Sequence, residues 1–201
     1  MSTVHERIDG RLRDFVSAQP VFFVATAPDG PDGHVNVSPK GYPDTFTVLD
    51  EHTVAYLDLE GSGVETIAHL RQNERITLMF CAFSGPPNIV RLYGHGRVVT
   101  PQDPGFGDLL ARFGPHPGVR TVIVVDVERI ADSCGYSVPE MTLERDRDVL
   151  DRLAGTEGSR KRRTARMNAE RRSIDDIPAL RPGETDPVSL HSATGPPTAC
   201  R

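Results

Sequence analysis

The chain has 201 residues, of which 37% are hydrophobic and 25% are charged, and its net charge is −5. This composition is typical of a globular chain with one main core, and the acidic balance excludes a general nucleic-acid-binding protein, which is normally basic. Because no apolar run is long enough to cross a bilayer and residues 1–14 are too charged for a signal peptide, we predict a cytoplasmic protein without a membrane or nucleic-acid partner.

The predicted elements begin with an amphipathic helix over residues 3–18, in which apolar residues recur at helical spacing. Seven strand-like runs follow, at Val21–Ala27, His34–Ser38, Thr45–Leu49, Thr53–Leu59, Ile76–Phe83, Ile89–Val99 and Arg120–Val127. Most links between them are short, and one helix after Gly63 interrupts the series. This order predicts a mainly β fold with peripheral helices, an antiparallel barrel rather than repeated βαβ units.

Beyond residue 140 the composition changes. Residues 143–153 fit one amphipathic helix and residues 160–172 a second, strongly charged one, whose basic side chains we interpret as a solvated face. From residue 178 the chain is rich in Pro, Gly, Ser and Thr. We therefore predict a barrel domain (1–140), a helical extension (141–178) and a flexible tail (179–201).

The first candidate site is the glycine-flanked helix start after the fourth predicted strand. Ser62 and Glu65 have the spacing of a capping box, and glycines at 61 and 63 flank Ser62. Free N–H groups at such a helix start, together with the helix dipole, suit a phosphate. An ordinary capped helix between two strands is the alternative. Along this helix the periodicity assigns His69 to the solvent-facing side.

Common nucleotide and catalytic motifs are incomplete or missing. Gly61-x-Gly63-x-x-Thr66 matches most of a dinucleotide fingerprint, but no acidic residue ends the next strand, and no Lys-Ser/Thr pair follows the glycines as in a P-loop. The histidines and the three cysteines lack metal-ligand spacing, so we predict no metal site. Gly-x-Ser-x-Gly is absent from the sequence, and the catalytic residues stay unknown.

The second candidate site is the segment His34–Gly41. In a strand, His34, Asn36 and Ser38 share one face, and we predict that Val35 and Val37 point into a core. Such a polar face fits a polar ligand, although a half-solvated edge strand is the alternative.

Two cations accompany these predicted strands. Lys40 follows the polar face of the second candidate site and is expected at its rim. Arg91 lies near the start of the run Ile89–Val99, where a buried strand would have to provide it with a partner.

In this order, HVNVSPKG (34–41), GSGVETIAHLRQNERITLMF (61–80) and RLYGHGRV (91–98) resemble the flavin-binding split-barrel family related to pyridoxamine 5′-phosphate oxidase. The resemblance covers roughly residues 15–130, and it continues more weakly through residues 133–136 and 168–178. It implies a split barrel, a homodimer and FMN bound at the subunit interface. The cofactor-binding residues it implies are Asn36, Ser38 and Lys40 near the flavin, Ser62, Gly63 and Thr66 near the phosphate, and Arg91 as a further cation.

The function that the resemblance implies is an FMN-dependent oxidoreductase acting on an unidentified small-molecule substrate. The Ser-Arg-Lys phosphate clamp of the oxidase is replaced here by the segment Gly61–Thr66, which argues against vitamin B6 oxidation. An F420-dependent reductase and a non-catalytic flavin-binding or regulatory protein are the alternatives. The resemblance also leaves haem open as a ligand, because some members of the wider superfamily bind haem.

Overall fold

The computed structural model describes residues 3–61, 63–116, 118–154, 156–167 and 169–185, and a curled antiparallel sheet forms its centre. The strands of this sheet are β1 (Thr3–His5), β2 (Phe22–Thr26), β3 (Asn36–Lys40), β4 (Phe46–Val48), β5 (Thr53–Leu59), β6 (Arg75–Cys81), β7 (Ile89–Val99) and β8 (Val119–Ser133). The helices are α1 (Gly10–Ser17), α2 (Glu65–Asn73), α3 (Phe106–Leu110), α4 (Val149–Ala154) and α5 (Glu157–Met167), and a 3₁₀ turn spans Pro43–Thr45. A separate two-stranded ribbon consists of β9 (Arg171–Arg172) and β10 (Pro178–Leu180).

The strand order in the sheet is β3-β2-β6-β7-β8-β5-β4, with β1 paired to β8. The longest strand, β8, has 15 residues. It pairs with β7 along one side and with β5 and β1 along the other. The predicted fold class, an antiparallel split β-barrel with peripheral helices, is confirmed.

The main core lies inside the curled sheet. Alternate residues of the strands face this interior, and four aromatic rings, those of Phe22, Phe46, Tyr56 and Phe80, pack with centroids 4.9–5.6 Å apart. Buried side chains of α1 and α2 complete this core. A smaller core on the outer face of the sheet packs Phe106 of α3 against β5 and β8.

The N-terminal segment differs from the predicted helix over residues 3–18. The helix begins only at Gly10, because the Asp9 side chain accepts a hydrogen bond from the Leu12 N–H at 2.8 Å and caps the first turn. Residues 3–5 instead form the edge strand β1, which pairs antiparallel with residues 130–132 of β8. There His5 Nε2 lies 2.9 Å from Asp132 Oδ2.

The C-terminal segment also differs from its prediction. The helix predicted over residues 143–153 is wrong for its first half, since α4 begins at Val149 and Leu143 is exposed, with no apolar surface to order it. The first residues of the predicted tail are not loose, because Ala179 and Leu180 are buried in the main core. Residues 186–201 lie outside the described part of the chain. The three-segment division stays a prediction.

None of the helices that the structure describes is both long enough and apolar enough to span a membrane.

Candidate functional site

A buried ion pair lies where β5 and β8 approach the start of α2. Arg120 Nε donates to Asp58 Oδ2 at 2.6 Å, and the two residues are only 5% and 1% exposed. Lys40, on β3, places its Nζ 3.6 Å from Asp58 Oδ1. One buried carboxylate therefore sits between two cations.

The charges in this cluster stabilise one another. Burial raises the pKa of the Asp58 carboxyl, but Arg120 and Lys40 outweigh this effect and hold that pKa below its usual value. Burial lowers the pKa of the Arg120 guanidinium, but the neighbouring Asp58 carboxylate outweighs this effect and raises that pKa above its usual value. Asp58 and Arg120 are therefore both ionised at neutral pH.

The start of α2 lies beside this cluster. The helix α2 begins at Glu65, and its N-cap, Val64, makes no side-chain capping hydrogen bond among the described residues. Glu65 accepts a hydrogen bond from the Ile174 N–H at 3.3 Å. The capping box stays a prediction, because it depends on the side chain of Ser62. Ser62 itself lies outside the described residues. Within the described part of the chain, no N-cap side chain occupies the first N–H groups of α2.

A cavity of about 210 Å³, here called the inner cavity, connects these features. Its lining includes Ser38, Lys40, Gly63, Thr66 and Arg120. Arg120 also donates from Nη1 to the Gly63 carbonyl at 2.9 Å, which fixes the turn before α2. The structure thus brings most of the described predicted site residues to one place.

A polar network extends from the inner cavity along β3. Asn36 Nδ2 donates to Thr26 Oγ1 at 3.2 Å and to Thr66 Oγ1 at 3.1 Å. Ser38 Oγ donates to Asn36 Oδ1 at 3.0 Å. These bonds fix the orientation of the Asn36 amide.

The same strand corrects a sequence prediction. Val35 and Val37 do not point into a core; they are 69% and 62% exposed. In the register of β3 with β2, Asn36 lies opposite Thr26, a buried inward-facing residue, so the polar residues take the inner face. Alternation identified the two faces correctly but assigned them the wrong way round.

His69 is buried as well, although the helical periodicity predicted that it faces water. Its Nδ1 lies 3.0 Å from Thr26 Oγ1, so the ring joins the network of Asn36. Its Nε2 has no hydrogen-bond partner among the described residues. Burial lowers the pKa of His69 more than Asp175 and Glu65 raise it, which keeps the ring neutral.

A larger cavity of about 500 Å³, here called the outer cavity, adjoins the inner one. Its lining residues are His34, Val35, Asn36, Val37, Gly63, Glu65 and Ile174. Gly63 and Glu65 line both cavities, so both cavities border the start of α2. The inner cavity is lined by two cations, Lys40 and Arg120, and by two carboxylates, Asp58 and Glu65.

Arg91 is the described predicted site residue that stands apart. It pairs with Met79, which pairs with Phe23, whereas Lys40 lies opposite Phe22. Neighbouring residues of a strand point to opposite faces, so Arg91 is on the outer face of the sheet. There it donates to Ser133 Oγ at 3.1 Å.

The residues that sequence reasoning missed are Asp58, Arg120 and His69. Asp58 and Arg120 each interrupt an apolar strand, and a lone charge in a buried strand needs a partner. That signal was present in the sequence, whereas nothing local indicated that His69 is covered. Among the described residues no group of His, Cys, Asp and Glu is placed to hold a metal ion.

Comparison with known proteins agrees with this architecture. A sequence model of the pyridoxamine 5′-phosphate oxidase family matches residues 8–134. The chain is 44% identical over 146 residues to the pyridoxamine 5′-phosphate oxidase family protein ustO of Aspergillus flavus, which covers 71% of this chain and 58% of that protein. It thus spans little more than half the length of this relative.

Among solved structures, HupZ of Group A Streptococcus matches with a TM-score of 0.50 and 20% identity, over 67% of this chain and 99% of HupZ. An FMN-binding protein of Syntrophomonas wolfei matches with a TM-score of 0.45 and 14% identity, over 66% of this chain and 85% of that protein. The match to HupZ shows a similar fold and nothing further. Because the family match covers more than half of the sequence, the chain belongs to the pyridoxamine 5′-phosphate oxidase family.

Proposed function

We propose that this member of the pyridoxamine 5′-phosphate oxidase family is an FMN-dependent oxidoreductase acting on a small molecule. The observation that carries the proposal is the cluster of Lys40, Asp58 and Arg120 beside the start of α2, where no described side chain caps the first turn. Two cations and the N-terminus of a helix converge there, and both attract a phosphate. FMN carries one terminal phosphate, and the inner cavity offers one such place.

The residues present fit the rest of the cofactor in the same way. Thr66, Asn36 and Ser38 offer hydroxyl and amide groups along the path from the inner to the outer cavity, which suits a ribityl chain. The outer cavity, at about 500 Å³, is large enough for a flat ring system and a small substrate beside it. Ser62 stays in the proposal as a predicted phosphate ligand outside the described residues.

Each side chain then has a defined task. Lys40 and Arg120 neutralise the phosphate, Asp58 keeps both cations in place, and the fixed Asn36 amide orients the polar chain of the cofactor. The flavin, when bound, supplies the hydride chemistry, and the protein supplies position and charge. No side-chain nucleophile is needed for this reaction.

We further propose a homodimer. The exposed Val37 lies on β3, an edge strand of the sheet, and the exposed Val35 directly precedes this strand; both line the outer cavity. A second subunit would cover this apolar edge and close the cavity. Arg91 belongs to the cofactor site only if it is contributed by that second subunit, since it lies on the opposite face of its own sheet.

The first experiment is to purify the protein, record its visible spectrum and titrate apoprotein with FMN and with F420. We expect FMN to bind. Lys40→Met should weaken FMN binding about tenfold or more, because it removes a charge-assisted contact of about 1.5–3 kcal/mol. Arg97→Met removes an exposed cation from β7 and serves as the matched control, with unchanged affinity expected.

Several outcomes would contradict the proposal. Preferential binding of F420 would favour the reductase alternative, and a protein that binds neither compound would favour a role without a flavin. Equal FMN affinity in wild type and Lys40→Met would remove the inner cavity as the phosphate site. A monomer by light scattering that still binds FMN would contradict the dimer.

A further inference from the structure

A histidine–aspartate pair borders the outer cavity and connects residues 141 positions apart in the chain. His34 Nδ1 lies 2.5 Å from Asp175 Oδ1, and the His34 backbone N–H donates to Asp175 Oδ2 at 2.8 Å. Asp175 thus holds both the ring and the backbone of His34. The His34 side chain is 73% exposed, whereas that of Asp175 is only 14% exposed.

Hydrogen bonds also fix the backbone turn that carries Asp175. The Asp175 N–H donates to Ser173 Oγ at 3.2 Å, and the Ile177 N–H donates to the same oxygen at 3.2 Å. Ser173 is buried, and the neighbouring β10 is anchored in the main core by Leu180. The turn therefore presents Asp175 from a fixed position.

The charge state of Asp175 defines the tautomer of His34. Hydrogen bonds from the His34 backbone and ring lower the pKa of Asp175, so it is an ionised acceptor at neutral pH. An ionised carboxylate only accepts, so Nδ1 of His34 must carry the proton that is donated. In the neutral ring Nε2 is then the basic nitrogen, and it has no hydrogen-bond partner among the described residues.

We propose that His34, oriented by Asp175, is the proton-exchanging catalytic residue of this site. A basic nitrogen held by a buried or fixed carboxylate is the usual arrangement of a general base. The ring lines the outer cavity together with Asn36 and Glu65, where the proposed function places the reacting end of the flavin. This inference therefore rests on the proposed function.

The step balances as follows for a substrate whose reacting carbon carries a hydroxyl or amino group. The bound flavin would supply the two-electron acceptor for the hydride that leaves the C–H bond. Nε2 of His34 would take the O–H or N–H proton as the C=O or C=N double bond forms. The two electrons that the substrate loses would thus be those that the flavin gains.

Two other titratable groups face this region besides Asp175. Glu65 lines the outer cavity from α2, and the buried His69 interacts electrostatically with Asp175 from behind. Glu65 is an acceptor for the Ile174 N–H, and His69 is neutral and fully buried. Of these groups His34 is the one with an exposed basic nitrogen.

A matched control exists in the same molecule. His5 also bonds a carboxylate, with its Nε2 2.9 Å from Asp132 Oδ2. That pair joins β1 to β8 and is not among the residues that line either cavity. His5→Gln therefore removes a histidine–aspartate pair without touching the site.

The experiment needs no substrate. The reduction potential of FMN-loaded protein is measured between about pH 5.5 and 8.5, the range in which histidines titrate. If His34 lies against the reacting ring, electrons entering the flavin draw a proton onto Nε2. On reduction of the flavin, we expect wild type and His5→Gln to take up more protons than His34→Gln does. The difference should approach one proton per two electrons.

The result that overturns the inference is identical proton uptake in His34→Gln and wild type. If His34→Gln and Asp175→Asn fold normally but both lose FMN, the pair is a structural clasp, and the inference is also overturned. If wild type binds no FMN, the proposed function fails instead. In that case ¹⁵N NMR of the apoprotein still decides the pair, because a neutral His34 protonated at Nε2 would overturn it.

Discussion

Lys40 and Asp58 form an ion pair across the open seam of the barrel. Their strands, β3 and β5, are not hydrogen-bonded neighbours, since β3 is one edge of the sheet and β5 lies next to the other. The Nζ–Oδ1 distance of 3.6 Å therefore joins the two ends of the curled sheet by side chains alone. The cluster that we propose to bind phosphate is also the place where the barrel closes.

Breaking this cluster from one side should be costly. Asp58→Ala leaves Arg120 buried without its carboxylate, and we expect a loss of about 3–5 kcal/mol in the free energy of unfolding. Replacing both partners, as in Asp58→Leu/Arg120→Met, should cost clearly less than the sum of the single changes. Urea unfolding measures both effects, with the exposed Asp32→Ala as the control. Additive losses in the double variant would contradict the coupling.

Tyr56→Phe should stabilise the protein. The Tyr56 ring is fully buried in the aromatic core, and its hydroxyl has no hydrogen-bond partner among the described residues. Burial also raises the pKa of this hydroxyl well above its usual value, so it stays neutral. Removing an unsatisfied hydroxyl should add about 1 kcal/mol to the free energy of unfolding. A lower melting temperature for Tyr56→Phe would reveal a partner for the hydroxyl, and the exposed Tyr136→Phe should change nothing.

Gly94 should not tolerate a side chain. It sits at the irregularity between β7 and β8, and a Cβ there would lie 2.0 Å from the Asp126 carbonyl oxygen. Because the obstacle is backbone, Gly94→Ala should cost about 2 kcal/mol or more in denaturant unfolding. Gly107→Ala is the matched control, since a Cβ at Gly107 in α3 meets nothing within 4 Å. Equal stability of the two variants would show that the bulge can shift.

His69 should make the protein acid-sensitive. Its pKa is lowered by burial, so protonation favours the unfolded chain, and its contribution to stability is complete above about pH 6.5 and falls as the pH drops towards the folded-state pKa. The slope for one proton is at most about 1.4 kcal/mol per pH unit. We expect His69→Gln to flatten the dependence of unfolding free energy on pH between about 7.5 and 5.5. Parallel curves would show that His69 does not titrate on unfolding.

The strands were the most predictable part of the fold. The runs Thr53–Leu59 and Ile89–Val99 have the same bounds in sequence and structure, because β-branched and apolar residues end at clear turn signals. The three-residue strand β1 was missed, since a short edge strand is defined by its partner β8 rather than by its own pattern.

The candidate site was predictable in its residue types but less so in its geometry. Alternation along β3 could not tell which face was inside, and Val35 and Val37 were assigned inwards because polar interiors are rare. His69 was assigned to solvent because one helix stripe was already apolar, whereas β10 covers a second side of α2. The pair His34–Asp175 spans 141 positions, and no local pattern can predict such a contact.

The central position of β8 has a consequence for the newly made chain. Both β5 and β7 pair with β8. Each therefore has an unpaired edge until residues 119–133 have left the ribosome. Residues 1–118 are then already synthesised, and the unpaired edges of β5 and β7 can pair with strands of other nascent chains. We therefore expect slow, late closure during synthesis and a strong dependence of the folded yield on temperature and chaperones.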